Sequence, residues 1–148
     1  MIVNFSKMHG SGNDFVVIDL VTQAGALSPA CVADLAHRHT GVGFDQLLTI
    51  EPPTIRTADF FYRIYNADGS ESGQCGNGAR CVAKFIFDKQ LSPKSELVLQ
   101  TNTGQLTTQR VSSQAIRVNM GKPQLDPAAI PFESRPGEQA PYAASFQD

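Results

Sequence analysis

The sequence predicts a mixed α/β domain in which a largely antiparallel sheet wraps around one central helix. The segment after Gly78 is apolar almost all round, except for a polar stripe formed by Arg80, Lys84 and Asp88 at spacings of i, i+4 and i+8. A helix with one thin polar stripe is mostly buried. Short strand-like segments precede and follow this helix, so strands from both sides are expected to cover it.

The elements before the central helix are predicted from local patterns. Short apolar runs at residues 2–5 and 15–20 predict two strands, which the glycine-containing loop MHGSGND joins. Ser28 and Pro29 are a typical N-cap and first-turn pair, and they predict a helix that runs to His39.

The remaining predicted strands come before and after the central helix in the sequence. Residues 47–50 form an apolar run that a Pro-Pro pair ends, and the aromatic-rich residues 59–65 predict a largely buried strand. Three further strands, linked by short turns, are predicted at residues 96–101, 104–111 and 115–120.

Composition excludes several classes of protein. The 148 residues are enough for one domain with a hydrophobic core. Lys and Arg number 12 against 14 Asp and Glu, with no basic run, so we expect neither a nucleic-acid partner nor a membrane surface. No apolar window approaches the roughly 18 residues of a membrane span, and the N-terminus lacks the features of a signal peptide. We therefore expect a cytoplasmic protein.

Cysteine usage agrees with a reducing compartment. The three cysteines, Cys31, Cys75 and Cys81, are odd in number and lack the C-x-x-C spacing. Neither a disulfide framework nor a metal site is therefore predicted. Cys31 and Cys81 lie in apolar stretches, and we expect both to be small core residues.

The stretch NADGSESGQCGNGARC, residues 66–81, places Cys75 between a polar turn and the start of the central helix. Unpaired N–H groups and the positive end of the helix dipole favour a thiolate at such a position. Gly76 and Gly78 let the backbone approach a ligand, and their N–H groups form an anion site. An inert, buried cysteine is the ordinary alternative, but this context favours a thiol that faces a ligand.

Four amide side chains occur in turn-like contexts flanked by Gly or Asp, namely Asn13, Gln46, Asn66 and Asn77. Each alone is better explained by turn chemistry, since Asn readily forms Asx turns. Several of them gathered beside one thiol would instead suit the recognition of a zwitterionic amino acid. His9 leaves a Cys–His hydrolase pair open as an alternative.

Several longer motifs occur in a fixed order between residues 2 and 123, namely FSKMHGSGNDFVVID, GVGFDQL, YNADGSESGQCGNGAR, TNTG and VNMGKP. Together they closely resemble the N-terminal half of diaminopimelate epimerases, and the cysteine block is the most specific of them. The family's enzymes interconvert LL- and meso-diaminopimelate, in lysine and peptidoglycan precursor biosynthesis, without pyridoxal phosphate or metal. Two cysteines on opposite sides of the substrate α-carbon exchange the proton.

The resemblance implies a role for each matching residue. Cys75 corresponds to one catalytic thiol, and no cofactor is implied. The substrate-binding residues that it implies are Asn13, Gln46, Asn66, Gly76 and Asn77.

The resemblance also implies a larger architecture. The family fold has two similar halves, each a sheet around a central helix, with the site between them, and its members usually act as homodimers. We therefore expect residues 1–118 to be the N-terminal catalytic half-domain and residues 119–148, where five of the nine prolines occur, to be a linker and the start of a truncated second domain. Because the partner thiol would belong to that second half, this chain alone is expected not to catalyse epimerisation.

Other interpretations stay open at this point. A phenazine-biosynthesis-like isomerase would not carry a catalytic cysteine here, and a proline-racemase-like enzyme would carry a Cys-Gly-His block. A thiol hydrolase would use Cys75 and His9. The non-enzymatic alternative is a folding or ligand-binding module.

Overall fold

The computed structural model describes residues 2–126 and 129–130. This part of the chain forms one curled sheet with a helix against each face. Its elements in chain order are β1 (Ser6–Gly10), β2 (Asn13–Asp19), α1 (Pro29–Ala36), β3 (Gln46–Glu51), β4 (Phe60–Asn66), β5 (Glu71–Ser72), α2 (Gly76–Asp88), β6 (Glu96–Thr101), β7 (Gly104–Arg110) and β8 (Ile116–Asn119).

The sheet is mixed and largely antiparallel, which confirms the predicted fold class. Its strands lie in the order β1-β2-β3-β4-β6-β7-β8, and the short β5 adds to β4. Within the described residues, β2 with β3 and β4 with β6 are the two parallel pairs. A parallel pair requires a crossover connection, and α1 and α2 each lie within one of these two connections.

The two faces of the sheet carry separate hydrophobic cores. Phe15 and Val17 of β2 belong to the core that surrounds α2, whereas Val16 and Ile18 belong to the core under α1. Successive side chains of a strand point to opposite faces, so β2 is buried on both sides. It reads as a continuous apolar run for that reason.

Helix α2 is the central helix, as predicted. Its apolar residues are buried, and Asp88 is exposed while Arg80 and Lys84 are half-buried along the polar stripe. Lys84 Nζ lies 2.8 Å from Asp88 Oδ2, an ion pair one turn apart. Neither of the helices in the described part is long and apolar enough to cross a bilayer.

The predicted strand at residues 2–5 is wrong, and the loop after it is shorter than predicted. The first strand is β1, and it forms a hairpin with β2 through only Ser11 and Gly12. Both turn residues have positive φ, 56° and 86°, as the twist of a two-residue hairpin requires. The consequence for the site is that Asn13 becomes the first residue of β2.

Helix α1 ends at Ala36, before the predicted end at His39. His37 has extended backbone (ψ 119°), and its Nδ1 accepts the N–H of Thr40 at 3.2 Å, which turns the chain away from the helix axis. The predicted linker and second-domain start at residues 119–148 fall largely outside the described residues, so that boundary stays a prediction.

The turn between β4 and β5 packs against the start of α1 through Gly69. This residue has φ +84°, and a Cβ built on it would lie 2.2 Å from the carbonyl oxygen of Pro29. Gly12 has a similar φ of +86° but no heavy atom within 4 Å of its built Cβ. A side chain at either position would therefore strain the backbone, but only a side chain at position 69 would also clash with a neighbouring atom.

We expect Gly69→Ala to lower the free energy of unfolding by about 2–5 kcal/mol, because left-handed strain and overpacking add. Gly12→Ala should cost only about 1–2 kcal/mol, from the strain alone. Urea denaturation of both variants measures the difference. Equal losses would contradict the close approach of this turn to α1.

Candidate active site

Cys75 is the N-cap of α2, and its sulfur takes the place of the usual capping oxygen. Its backbone is extended (φ −146°, ψ 109°), and its Sγ accepts the N–H of Gly78 at 3.3 Å. Its carbonyl oxygen accepts the N–H of Ala79 at 2.9 Å, the first hydrogen bond of the helix. Ser, Thr, Asp and Asn are the residues preferred at this position. A half-buried thiol here is therefore held at the helix terminus by its own capping bond.

The start of α2 is fixed from below by Tyr62 of β4. The ring is fully buried, and its hydroxyl donates to the carbonyl oxygen of Cys75 at 3.1 Å. A Cβ built on Gly78 would lie 2.1 Å from this hydroxyl and 3.3 Å from Leu48. Glycine at position 78 thus leaves the space through which Tyr62 reaches the backbone. Burial raises the pKa of Tyr62 well above its usual range, and the nearby thiols of Cys75 and Cys81 add to this, so the hydroxyl stays a donor.

The same helix end carries two further backbone donors. The N–H groups of Gly76 and Asn77 have no hydrogen-bond partner among the described residues. Unpaired N–H groups at the positive end of a helix form a site for a carboxylate or another anion. Met120 lies beside them, with its Sδ 3.3 Å from a Cβ built on Gly76. An anion bound here would lie next to the sulfur of Cys75.

Asn13 faces the thiol. Its Oδ1 lies 3.9 Å from Cys75 Sγ, close enough to accept a weak hydrogen bond from the S–H group. Its Nδ2 donates to Asp45 Oδ2 at 2.9 Å. The β1–β2 hairpin and the start of β3 together hold this amide in place.

A cluster of ion pairs supports that part of the sheet. Arg38 donates to both carboxylate oxygens of Asp14, at 3.1 and 2.8 Å, and to Asp45 Oδ1 at 2.8 Å. Lys7 Nζ lies 2.8 Å from Asp14 Oδ2. The hydrogen bonds from Arg38, together with Lys7 and the backbone of Asp45, outweigh desolvation and hold the pKa of Asp14 well below its usual range.

Gln46 and Asn66 form a second pair of amides. They lie directly opposite each other, at the first residue of β3 and the last of β4, and Gln46 Nε2 donates to Asn66 Oδ1 at 2.9 Å. Asn66 Nδ2 in turn donates to Ser70 Oγ at 3.1 Å. Because β2 and β3 both begin at this edge of the sheet, the pair lies at the same edge as Asn13.

The side chain of Asn77 is used within the fold. Its Oδ1 accepts a hydrogen bond from Arg80, whose guanidinium also donates to Ser11 Oγ at 3.3 Å. A Cβ built on Gly10 would lie 3.2 Å from the carbonyl oxygen of Asn77. The β1–β2 hairpin therefore packs closely on the first turn of α2.

The structure thus brings the predicted residues together in two groups. Asn13 contacts Cys75, and Gln46 contacts Asn66, but no hydrogen bond joins the second pair to the thiol. Gly76 and Asn77 are the first two residues of α2. Sequence reasoning missed Tyr62, Arg38 and Asp45. Only Asp45 carried a signal, its position next to Gln46 in GVGFDQL.

The other two thiols are placed differently. Cys81 is buried, as expected, and burial raises its pKa to about 11, with a smaller contribution from Cys75. The expectation that Cys31 is a core residue is wrong, because it is exposed in the first turn of α1. The helix covers the sheet with Val32 and Ala36 instead.

His9 does not pair with Cys75. It lines a cleft of about 420 Å³ together with Arg80 and Lys84, and none of the three histidines, which all lie in the described part, hydrogen-bonds the thiol. The geometry therefore gives no support to the hydrolase alternative. No group of three or more His, Cys, Asp or Glu residues within 2–126 is placed to hold a metal ion.

The contact between Tyr62 and α2 predicts a compensating pair of substitutions. Gly78→Ala should lower the free energy of unfolding by about 3 kcal/mol, because its Cβ meets a buried hydroxyl. Tyr62→Phe should cost about 1 kcal/mol for the lost hydrogen bond. Without the hydroxyl, the nearest built contact is 3.3 Å, to Leu48. The double variant should therefore be at least about 1 kcal/mol more stable than the sum of the single losses predicts, and strict additivity in chemical denaturation would contradict the contact.

The lowered pKa of Asp14 predicts a pH-dependent contribution to stability. An aspartate with a depressed folded-state pKa stabilises the fold fully above its unfolded pKa, near 4, and loses that contribution as the pH falls toward the folded value. We expect Asp14→Asn to cost about 2 kcal/mol at pH 7, with the gap from the wild type narrowing below about pH 4. Urea midpoints between pH 7 and pH 2 test this. Asp34→Asn, at an exposed position of α1, is the control and should show no such gap.

Three solved structures have a fold similar to that of this chain. A methylitaconate-Δ-isomerase superposes with a TM-score of 0.60 at 20% identity, covering 73% of this chain and 58% of that protein. A hydroxyproline epimerase from Agrobacterium vitis, with bound trans-4-hydroxy-L-proline, gives a TM-score of 0.61 at 13% identity. The match covers 78% of this chain and 40% of that protein. A probable proline racemase from Agrobacterium radiobacter K84, with bound carbonate, gives a TM-score of 0.62 at 14% identity. The match covers 80% of this chain and 42% of that protein.

These likenesses establish a shared fold, and the chain spans between 40% and 58% of the length of these three proteins. The sequence is more specific. Residues 5–125, most of the chain and all of its described elements, match the family described as diaminopimelate epimerase. This chain therefore belongs to the diaminopimelate epimerase family.

Proposed function

We propose that this chain supplies one catalytic thiol, Cys75, to a cofactor-independent epimerase that interconverts LL- and meso-diaminopimelate. The observation that carries the proposal is the position of Cys75 Sγ at the α2 N-terminus, beside the two free N–H groups of Gly76 and Asn77. Membership of the family supports the substrate. The reaction belongs to lysine and peptidoglycan precursor biosynthesis.

The proposed chemistry is a proton transfer at the α-carbon. The Cys75 thiolate takes the α-proton, so that an S–H bond forms, the C–H bond breaks, and the electron pair stays on the substrate. The charge spreads into the α-carboxylate, whose oxygens accept the N–H groups of Gly76 and Asn77 at the positive end of the helix. A second thiol on the opposite face gives a proton to the α-carbon and completes the inversion.

Neither of the other two cysteines is suited to be that second thiol. Cys81 is buried one turn and a half further along the same helix, and its raised pKa keeps it protonated. Cys31 lies in α1, against the other face of the sheet. We therefore assign the partner thiol to the part of the relatives' length that this chain does not span.

The remaining parts of the proposal concern binding. We assign substrate contacts to Asn13, which lies beside the thiol, and to the paired amides Gln46 and Asn66 at the same edge of the sheet. A cytoplasmic location and a homodimeric assembly stay predictions.

The proposal predicts hydrogen exchange at the substrate without inversion. In D₂O, the 148-residue chain should replace the α-proton of LL-diaminopimelate by deuterium with retention, because only one acid–base group is present. Cys75→Ser should slow this exchange by about 10²–10⁴-fold, while serine, itself a good N-cap, keeps the helix start intact. Proton NMR of the substrate follows the exchange.

Cys31→Ser is the matched control, because Cys31 is a thiol near the start of the other helix and is exposed. It should exchange at the wild-type rate. An unchanged rate in Cys75→Ser would remove the thiol from the mechanism. Complete conversion of LL- to meso-diaminopimelate by this chain alone would overturn the division of the two thiols between two parts of the protein.

A further inference from the structure

Two chains of side-chain hydrogen bonds lie at the edge of the sheet where Asn13 faces Cys75, and each chain ends on a carboxylate. The first joins Asn13 to Asp45. The second runs from Gln46 through Asn66 and Ser70 to Asp68. An ionised carboxylate can only accept hydrogen bonds. The carboxylate at the end of each chain therefore determines, for every amide in that chain, which side carries the oxygen and which side carries the nitrogen.

In the first chain, Asp45 Oδ2 accepts a hydrogen bond from the side-chain amide nitrogen of Asn13 at 2.9 Å. Arg38 donates to the other oxygen of Asp45 at 2.8 Å and forms an ion pair with it. Since the oxygen and the nitrogen of an amide point in different directions, Asn13 Oδ1 is left facing Cys75 Sγ, 3.9 Å away. When Cys75 is a thiolate it has no proton to donate, and this oxygen then needs another donor.

In the second chain, Asp68 accepts the hydroxyl of Ser70 at 2.6 Å and its N–H at 2.9 Å. These bonds hold the pKa of Asp68 below its usual range. The single hydroxyl proton of Ser70 is thereby used, so its oxygen must accept from Asn66 Nδ2, at 3.1 Å. Asn66 Oδ1 must then accept from Gln46 Nε2, at 2.9 Å.

The second chain leaves an oxygen at its near end. Gln46 Oε1 has no hydrogen-bond partner among the residues of the described part. Gln46 is the first residue of β3, and its register partner Phe15 lies two residues after Asn13. Both chains thus present an amide oxygen, an acceptor, at the same edge of the sheet.

We propose that Asp45 and Asp68 are positioning residues that orient Asn13 and Gln46 so that their amide oxygens accept hydrogen bonds from an ammonium group of the substrate. The inference rests on the proposed function, since it takes the ligand to be an amino acid bound beside Cys75. An ammonium group only donates hydrogen bonds. If the amides were turned by 180°, their N–H groups, which are also donors, would face it. The free N–H groups of Gly76 and Asn77 have the opposite preference, for a carboxylate.

The site therefore distinguishes the two charged groups of an amino acid by two different means. Backbone donors at the start of α2 select the carboxylate. Amide oxygens, whose orientation the carboxylates fix, select the ammonium group. This division places the α-carbon between the helix end and the sheet edge, where the sulfur of Cys75 lies.

The test compares each amino acid with an analogue that has the same carbon skeleton or ring size but no ammonium group. One pair is meso-diaminopimelate with pimelate, and the other is L-proline with cyclopentanecarboxylate. Affinities are read from backbone amide shifts of residues 76–78 in the ¹⁵N-labelled 148-residue chain. The wild type should bind the amino acid of at least one pair about tenfold more tightly than its partner, or better, as a charge-assisted hydrogen bond allows.

The variant Asp45→Ala with Ser70→Ala removes the anchor of one chain and a link of the other. We expect its preference for the amino acid to fall below about threefold. Asp34→Ala with Ser72→Ala is the matched control, since neither side chain has a hydrogen-bond partner in residues 2–126. Thermal melts verify that both variants fold, and the exposed single variant Ser70→Ala serves if the double variant does not.

The outcomes separate this inference from the proposed substrate. Preference for proline over its carbocyclic analogue, with no binding of diaminopimelate, would support the amide orientation and overturn the substrate. If the wild type bound both members of each pair equally, or bound none of the four compounds, that result by itself would overturn the inference. A preference that survives in the double variant and in Ser70→Ala would show that Asp45 and Asp68 do not set the orientation.

Discussion

The start of helix α2 depends on one buried contact, the hydrogen bond from the Tyr62 hydroxyl to the carbonyl oxygen of Cys75. This contact crosses a space that exists only because residue 78 has no side chain. It fixes the height of the helix above the sheet and, with it, the direction of the first free N–H groups. A polar group so deeply buried must be paired, and here the pairing is made to Cys75, whose thiol lies in the candidate site.

The sheet supplies the other half of the geometry. Parallel pairing of β2 with β3 starts both strands at one edge, and antiparallel pairing brings the end of β4 to the same edge. Asn13, Gln46 and Asn66 are far apart in sequence but occupy these three strand ends. The ion pairs of Arg38 with Asp14 and Asp45 then tie the loop before β3 to β2. The order of the polar edge therefore follows from topology together with a few charge-assisted contacts.

Sequence patterns predicted the fold class and the central helix because those features depend on periodicity. The stripe of Arg80, Lys84 and Asp88 is visible in the sequence, and it indicated correctly which face of α2 is buried. Cys75 at a helix start followed from the glycines around it. The first strand was misplaced, since its apolar residues at 2–5 suggested a strand whereas the pairing is set by a two-residue turn at Ser11 and Gly12.

The contacts that sequence reasoning missed join residues that are not neighbours in the sequence. Tyr62 appeared only as one aromatic residue in a buried strand, and nothing local indicates that its hydroxyl reaches Cys75. The exposure of Cys31 was missed for a related reason, because a short helix covers the sheet with one face and the residue falls on the other. The role of Asp45 depends on the side chains of Asn13 and Arg38, which the fold alone brings to it.

The capping of α2 by a sulfur atom sets stability and chemistry against each other at one position. An oxygen from Ser, Asp or Asn would cap this helix better than the 3.3 Å contact between Cys75 Sγ and the Gly78 N–H. A search for thermostable variants would therefore favour replacement of the thiol, and with it the loss of the group that the proposed reaction requires. Position 75 is a place where the most stable sequence and the useful sequence differ.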